Sequence, residues 1–115
     1  VLIKTLNKND AFVLSLGGGT PCYFDNMEII HKKTNYSFYI NLNSKVLAER
    51  LYIRKSSRPL ISSIESKQEM LNFINKHLFE RNLFYMKANH IIYCDNTDVK
   101  KISQSIIEIL EKNSF

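Results

Sequence analysis

The chain has 115 residues, a length typical of one domain, and its 44% apolar and 23% charged residues indicate a globular protein rather than a disordered one. Its longest apolar runs are too short to span a membrane, and no secretory signal is visible. The net charge of +5 attracts polyanions, but the basic residues are spread along the chain without an RNA-recognition or helix-turn-helix signature, so a nucleic-acid partner is not expected.

Strands and helices alternate along the chain. Short apolar runs predict three strands, at residues 11–16, 36–42 and 90–94. Helical spacing of apolar residues predicts five helices, at residues 1–7, 26–31, 44–53, 67–81 and 99–112. A polar segment with Pro59, residues 54–63, is predicted to be a loop. This alternation favours an α/β fold with a parallel sheet covered on both faces.

Four of the predicted helices begin with a residue suited to N-capping. The candidates are Asp25 with Glu28, Asn43 or Ser44, Ser66 with Glu69, and Asp98. The pairs that contain a glutamate three residues further on are predicted to form capping boxes.

Three consecutive glycines, Gly17, Gly18 and Gly19, follow the first predicted strand and are the only glycines in the chain. Strand, glycine turn and helix is the arrangement by which α/β proteins present backbone N–H groups to a ligand, although a simple tight turn would need glycines too. The turn is not a phosphate-binding P-loop, because the next lysine is Lys32 and the Gly-x-x-x-x-Gly-Lys-Ser/Thr pattern is absent.

Three arginines are candidate anion-binding residues. Arg50 lies near the end of a predicted helix, Arg58 in the polar loop and Arg81 at the end of the longest predicted helix. Each alone could be a solvated surface residue, and Arg81 could simply favour the helix dipole. Together with a glycine turn they are suited to phosphate and carboxylate, because the guanidinium fork matches both groups.

No metal site is expected. Cys22 and Cys94 form no C-x-x-C pair and share no ligand spacing with the three histidines. Without a secretory context they indicate reduced thiols in a cytoplasmic protein.

In their order and spacing these features resemble the shikimate kinases, and the match covers essentially the whole chain. The resemblance is carried by Gly17-Gly18-Gly19-Thr20 after a strand, by residues 38–42, by Arg50 followed by Arg58-Pro59-Leu60-Ile61, and by Glu80-Arg81 with Tyr85 and Ala88.

The resemblance implies a three-layer α/β/α fold of the P-loop, nucleoside-monophosphate-kinase type. Residues 1–115 would be the carboxyl-terminal part of a single kinase domain, with a lid loop at about 54–65. They would supply the last three strands of the sheet, whereas strands 1 and 2 and the Walker A loop of the front half are missing. The absent strand 1 would separate strand 3, residues 11–16, from strand 4, residues 36–42.

The resemblance also implies an activity, the ATP-dependent phosphorylation of the 3-hydroxyl of shikimate in aromatic amino-acid biosynthesis. ATP and Mg²⁺ would be the cofactors, with the Mg²⁺ ligand in the missing front half. Residues 17–19 and Arg81 would bind shikimate. The N–H of Gly18 would donate to shikimate, and the Arg81 guanidinium would pair with the shikimate carboxylate. Arg58 would be catalytic and contact the ATP phosphates from the lid, Arg50 would lie against the adenine, and Thr97 would border the base.

Two interpretations remain open at this point, beside the weaker third one of a basic nucleic-acid binder, which steeply salt-dependent binding to DNA or RNA would reveal. In one, the chain is part of a working kinase, inactive by itself because it has no Walker A loop. In the other, it is a non-catalytic remnant that binds ligand or self-associates. Unpaired apolar strand edges would favour pairing with a front half or with a second copy.

Overall fold

The computed structural model describes residues 2–7, 11–95 and 98–114. Two strands and five α-helices make up its regular structure. They are α1 (Leu2–Leu6), α2 (Asn26–Lys33), β1 (Phe38–Leu42), α3 (Ser44–Ile53), α4 (Lys67–Tyr85), β2 (His90–Cys94) and α5 (Val99–Ser114). Single 3₁₀ turns occupy Thr20–Cys22 and Lys55–Ser57.

The strands β1 and β2 form a parallel pair in which Phe38 lies opposite His90 and Leu42 opposite Cys94. Parallel neighbours need a long crossover between them, which here contains α3 and α4. The predicted α/β class with a parallel sheet is confirmed.

The prediction of a strand at residues 11–16 is wrong. This segment has no strand structure, and its apolar side chains are exposed, Val13 by 98% and Phe12 by 45%. A strand exists through hydrogen bonds to a neighbour, and no described residue offers this segment a ladder. The apolar run therefore carries the composition of a buried strand without the partner that would bury it.

Local side-chain hydrogen bonds explain where three helices begin. Asn43 Oδ1 accepts from the N–H of Lys45 at 2.9 Å, and Ser66 Oγ accepts from that of Glu69 at 3.1 Å. Asp98 Oδ1 accepts from the N–H groups of Lys100 and Lys101. These three N-cap predictions are confirmed.

The capping box predicted for Asp25 is wrong. Its side chain makes no capping hydrogen bond, and its backbone has φ −102° and ψ 26° rather than the extended geometry of most N-caps. Residues 23–25 separate the turn at Thr20–Cys22 from α2, and Asn26 Nδ2 donates back across them to the Thr20 carbonyl at 2.8 Å. The side chain of the first helical residue thus ties the start of α2 to that turn.

A cluster of buried residues lies between α3, α4 and the connection that joins them, and Met27, Ile30 and Ile92 are buried elsewhere. The buried members of the cluster are Ala48, Ile61, Met70 and Ile74. Ile61 belongs to the predicted loop, which is therefore anchored in the core by one side chain. The connection between α3 and α4 is also held by two hydrogen bonds to its last residues: the Tyr52 hydroxyl donates to the Glu65 carbonyl at 2.9 Å, and the Lys55 ammonium donates to the Ile64 carbonyl.

The helix α4 extends four residues beyond the end predicted at Arg81, because no glycine or proline interrupts residues 82–85. This extra turn adds Tyr85 to the helix. None of the described helices is long and apolar enough to cross a membrane.

Candidate functional site

The glycine triplet adopts an ordinary backbone conformation. No glycine has a positive φ, so none is required for a left-handed turn. The Gly17 carbonyl accepts from the N–H of Thr20 at 3.1 Å and the Gly19 carbonyl from that of Cys22 at 3.0 Å. The triplet thus leads into the 3₁₀ turn at Thr20–Cys22. Backbone conformation does not explain why glycine is needed here, so the neighbouring side chains must.

That reason is close approach, and it applies at Gly18. A Cβ atom on Gly18 would lie 3.0 Å from Arg81 Nη1 and 3.3 Å from the Tyr85 hydroxyl oxygen. At Gly17 the nearest atom would be Thr20 Oγ1 at 3.6 Å, and at Gly19 no atom lies within 4 Å. The middle glycine therefore makes room for two functional groups of α4.

Arg81 and Tyr85 reach the glycine from one face of α4, because residues four apart in a helix are neighbours on its surface. The Tyr85 hydroxyl donates to the Gly18 carbonyl at 2.5 Å. The Arg81 side chain is half-buried, and among the described residues no carboxylate pairs with it. Its positive charge beside exposed backbone N–H groups is suited to a small carboxylate ligand.

Tyr85 was not among the predicted site residues, although the sequence contained a signal for it. Its spacing of four from Arg81 places both on the same helix face, provided that the helix continues past Arg81. Because the predicted helix ended at Arg81, the prediction did not place Tyr85 on the same helix face.

Tyr39 of β1 packs against the ring of Tyr85. The Tyr39 ring centroid lies 5.1 Å from that of Tyr85, and the Tyr39 hydroxyl donates to Asn82 Oδ1 at 2.9 Å. Burial raises the pKa of the Tyr39 phenol, and the neighbouring Tyr85 and Tyr93 phenols raise it further. Tyr39 therefore remains a neutral hydrogen-bond donor in the pH range where proteins function.

The raised pKa of Tyr39 predicts a loss of stability in alkali. A group whose pKa is higher in the folded state stabilises the fold fully below its unfolded pKa of about 10, and this stabilisation is lost as the pH rises through the folded value. We expect the free energy of unfolding to fall more steeply above about pH 10 in the natural chain than in Tyr39→Phe. Urea unfolding at several pH values measures this, with the exposed Tyr23→Phe as a matched control that follows the natural chain. If the free energy of unfolding fell equally steeply with pH in the natural chain and in Tyr39→Phe, the raised pKa of Tyr39 would be contradicted.

The remaining predicted site residues are not brought to the glycines. Arg50 and Arg58 are exposed, and neither supplies an atom near the triplet. Arg50 lies in the last turn of α3, and Arg58 follows the turn at Lys55–Ser57 with an extended backbone. Thr97 lies outside the described residues.

A shallow depression of about 220 Å³ lies at the carboxyl end of β2, beside the first turns of α5. Its lining includes Cys94, Asp95 and Lys101. Within the described ranges no group of three or more His, Cys, Asp or Glu side chains could hold a metal ion. Cys22 and Cys94 are free thiols.

The different environments of the glycines predict different responses to alanine. Gly18→Ala should displace the ends of the Arg81 and Tyr85 side chains, which are flexible enough to move without unfolding the chain, whereas Gly19→Ala should displace neither. The measurement is the NMR resonances of the Arg81 guanidinium and the Tyr85 ring in the two variants. Equal shifts in both would show that Gly18 is not the point of close approach.

Comparison with known proteins identifies the family. The family model for shikimate kinase matches residues 1–111. This chain belongs to the shikimate kinase family. Shikimate kinases from Flavobacterium johnsoniae and Phocaeicola vulgatus are 36% and 37% identical to it over 110 and 100 residues. These alignments cover 96% and 87% of this chain but 63% and 56% of those proteins.

The fold comparison agrees with the family assignment. The crystal structure of the shikimate kinase from Bacteroides thetaiotaomicron superposes with a TM-score of 0.68 at 31% sequence identity, over 84% of this chain and 55% of that one. The chain therefore has the α/β fold of a shikimate kinase over rather more than half of that fold's length, and the expected family and fold class are confirmed.

Proposed function

We propose that this chain forms part of a shikimate kinase, which transfers the γ-phosphoryl group of ATP to the 3-hydroxyl of shikimate in aromatic amino-acid biosynthesis. Within it, residues 1–115 would be the carboxyl-terminal part of a single kinase domain. The observation that carries the proposal is the packing of the Arg81 guanidinium against Gly18 in a chain of this family.

On the substrate side, Arg81 would pair with the shikimate carboxylate through two parallel N–H donors. The backbone of residues 17–19 is exposed beside it, so that the N–H of Gly18 can donate to a ring hydroxyl of shikimate. A cation and neutral donors held side by side match a ligand that carries a carboxylate and several hydroxyls.

On the nucleotide side, Arg58 would be the catalytic residue and the segment at about 54–65 the lid. Phosphoryl transfer depends mainly on positioning and on stabilising charge at the phosphate oxygens, which an exposed guanidinium can do when its segment closes. Arg50 would lie against the adenine and Thr97 would border the base. The depression at the end of β2 supports a base-binding position at that edge of the sheet.

Phosphoryl transfer from ATP uses a bound metal ion and a loop that holds the phosphates. Among the described residues, no group of three or more His, Cys, Asp or Glu side chains could hold the metal ion. We propose that the Mg²⁺ ligand and the Walker A lysine belong to the front half of the kinase domain. Mg²⁺ would neutralise charge on the transferring phosphoryl group. We also propose a cytoplasmic location, in keeping with the two free thiols.

The test begins with the coding DNA upstream of the Val1 codon. An in-frame Gly-x-x-x-x-Gly-Lys-Ser/Thr motif there would define the longer product to express. We expect that product to release ADP from ATP only when shikimate is present. A longer product that binds ATP but shows no shikimate-dependent release would refute the proposal.

The alternative of a non-catalytic, self-associating remnant is supported by a different observation. Val13, Leu14 and Leu16 are exposed in a segment with the composition of a buried strand, and Ile40 of β1 is 47% exposed. Such a surface favours association with another chain. A stop codon directly upstream, together with a sedimentation coefficient that rises with concentration, would favour this alternative.

A further inference from the structure

One hydrogen bond in the site joins parts of the chain that are 67 residues apart, the bond from the Tyr85 hydroxyl to the Gly18 carbonyl. We propose that Tyr85 is a positioning residue, which fixes the glycine backbone at the distance from Arg81 that a bound carboxylate requires. The role in ligand binding rests on the proposed function, whereas the positioning of the glycines does not.

The glycine segment needs such a tether because its own bonds are local. Residues 11–19 are exposed, and the carbonyls of Gly17 and Gly19 accept from residues three positions further along. These bonds shape the turn but do not determine where it lies relative to α4. The turn at Thr20–Cys22 packs against α4, and the bond from Tyr85 adds a direct tie between the triplet and the last turn of that helix.

The tether also sets the direction of a backbone donor. The carbonyl of Gly18 and the N–H of Gly19 belong to one rigid peptide plane. When Tyr85 holds the carbonyl on the side of α4, the N–H of Gly19 is directed away from it. Loss of the bond would allow this plane to rotate, and the N–H of Gly19 would lose its fixed direction.

Tyr85 is well placed to act as a fixed point. Its ring packs against that of Tyr39, whose position on β1 is set by the strand pairing with Ile91. The hydroxyl of Tyr39 is bonded to Asn82, one turn before Tyr85 on α4. The Tyr85 ring is thus supported from the sheet and from its own helix, and its hydroxyl remains available for the glycine carbonyl.

The experiment compares Tyr85→Phe with Tyr52→Phe in the full chain, since the Tyr52 hydroxyl also donates to a backbone carbonyl, that of Glu65, and the same change there removes one comparable hydrogen bond outside the glycine site. The first readout uses no ligand and follows the amide NMR resonances of Gly18 and Gly19. The second is the dissociation constant for shikimate from calorimetry. The free energy of unfolding is measured alongside both.

We expect Tyr85→Phe to shift the Gly18 and Gly19 amide resonances, and to weaken shikimate binding by about three- to tenfold, the usual effect of one hydrogen bond. Tyr52→Phe should do neither. Unchanged glycine amides in Tyr85→Phe would overturn the inference, and so would unchanged shikimate affinity. A natural chain that binds no shikimate would refute the ligand assignment instead, and the glycine amides alone would then decide whether Tyr85 positions the backbone.

Discussion

Replacement of Met70 by alanine should lower the free energy of unfolding by about 2–5 kcal/mol, the usual range for emptying a buried methionine site. Met70 is completely buried, and it packs with Ala48 of α3, Ile74 of α4 and Ile61 of the connecting segment. The cavity would lie where these three parts meet, so none of them alone could collapse to fill it. Denaturant unfolding measures the loss.

Two further variants make this test specific. Met86→Ala removes the same atoms from a side chain that is 43% exposed, and it should cost much less. Met70→Leu nearly conserves the volume, and it should cost less than about 1.5 kcal/mol. If Met70→Ala and Met86→Ala were equally destabilised, Met70 would not be at the centre of the core. If Met70→Ala does not fold, the leucine variant still measures how closely the site is packed.

Features that depend on neighbouring residues could be predicted from the sequence. The cap at Ser66 is formed by a hydroxyl that reaches a backbone N–H three residues ahead, and the sequence displays both groups. The strands that contain Tyr39 and Ile92 follow from short apolar runs, and their parallel pairing follows from the helices between them. Each of these rests on local chemistry or on a simple rule of connection.

Features that depend on distant partners could not be predicted in the same way. The segment containing Val13 has the composition of a strand, but no spacing in the sequence shows whether a neighbour is present to pair with it. The family resemblance implied a ligand contact at Gly18, but composition and spacing alone do not distinguish the three glycines, whereas in the fold Gly18 alone approaches the ends of Arg81 and Tyr85. The sequence predicted a special backbone site, and the three-dimensional contact identified which glycine requires it.

Replacement of Arg81 by glutamine should weaken shikimate binding by about 10- to 100-fold, which corresponds to about 1.5–3 kcal/mol for hydrogen bonds to a charged group. The guanidinium lies beside Gly18 without a carboxylate partner among the described residues, so its charge is available to a ligand. Arg81→Lys should be intermediate, because it keeps the charge and loses the planar fork. Calorimetric titration with shikimate measures the dissociation constants of the natural chain, Arg81→Gln and Arg81→Lys.

Two arginines outside the glycine site provide the comparison. Arg54→Gln removes an exposed guanidinium with no assigned role, and it should leave shikimate binding unchanged. Arg58→Ala, examined by steady-state kinetics in the longer product, should mainly lower kcat because its proposed contact is with the phosphates during transfer. If Arg58→Ala weakened shikimate binding and Arg81→Gln lowered only kcat, the roles proposed for the two arginines would be reversed. The glycine face of α4 would then belong to the phosphates, and the exposed segment around Arg58 would hold the carboxylate.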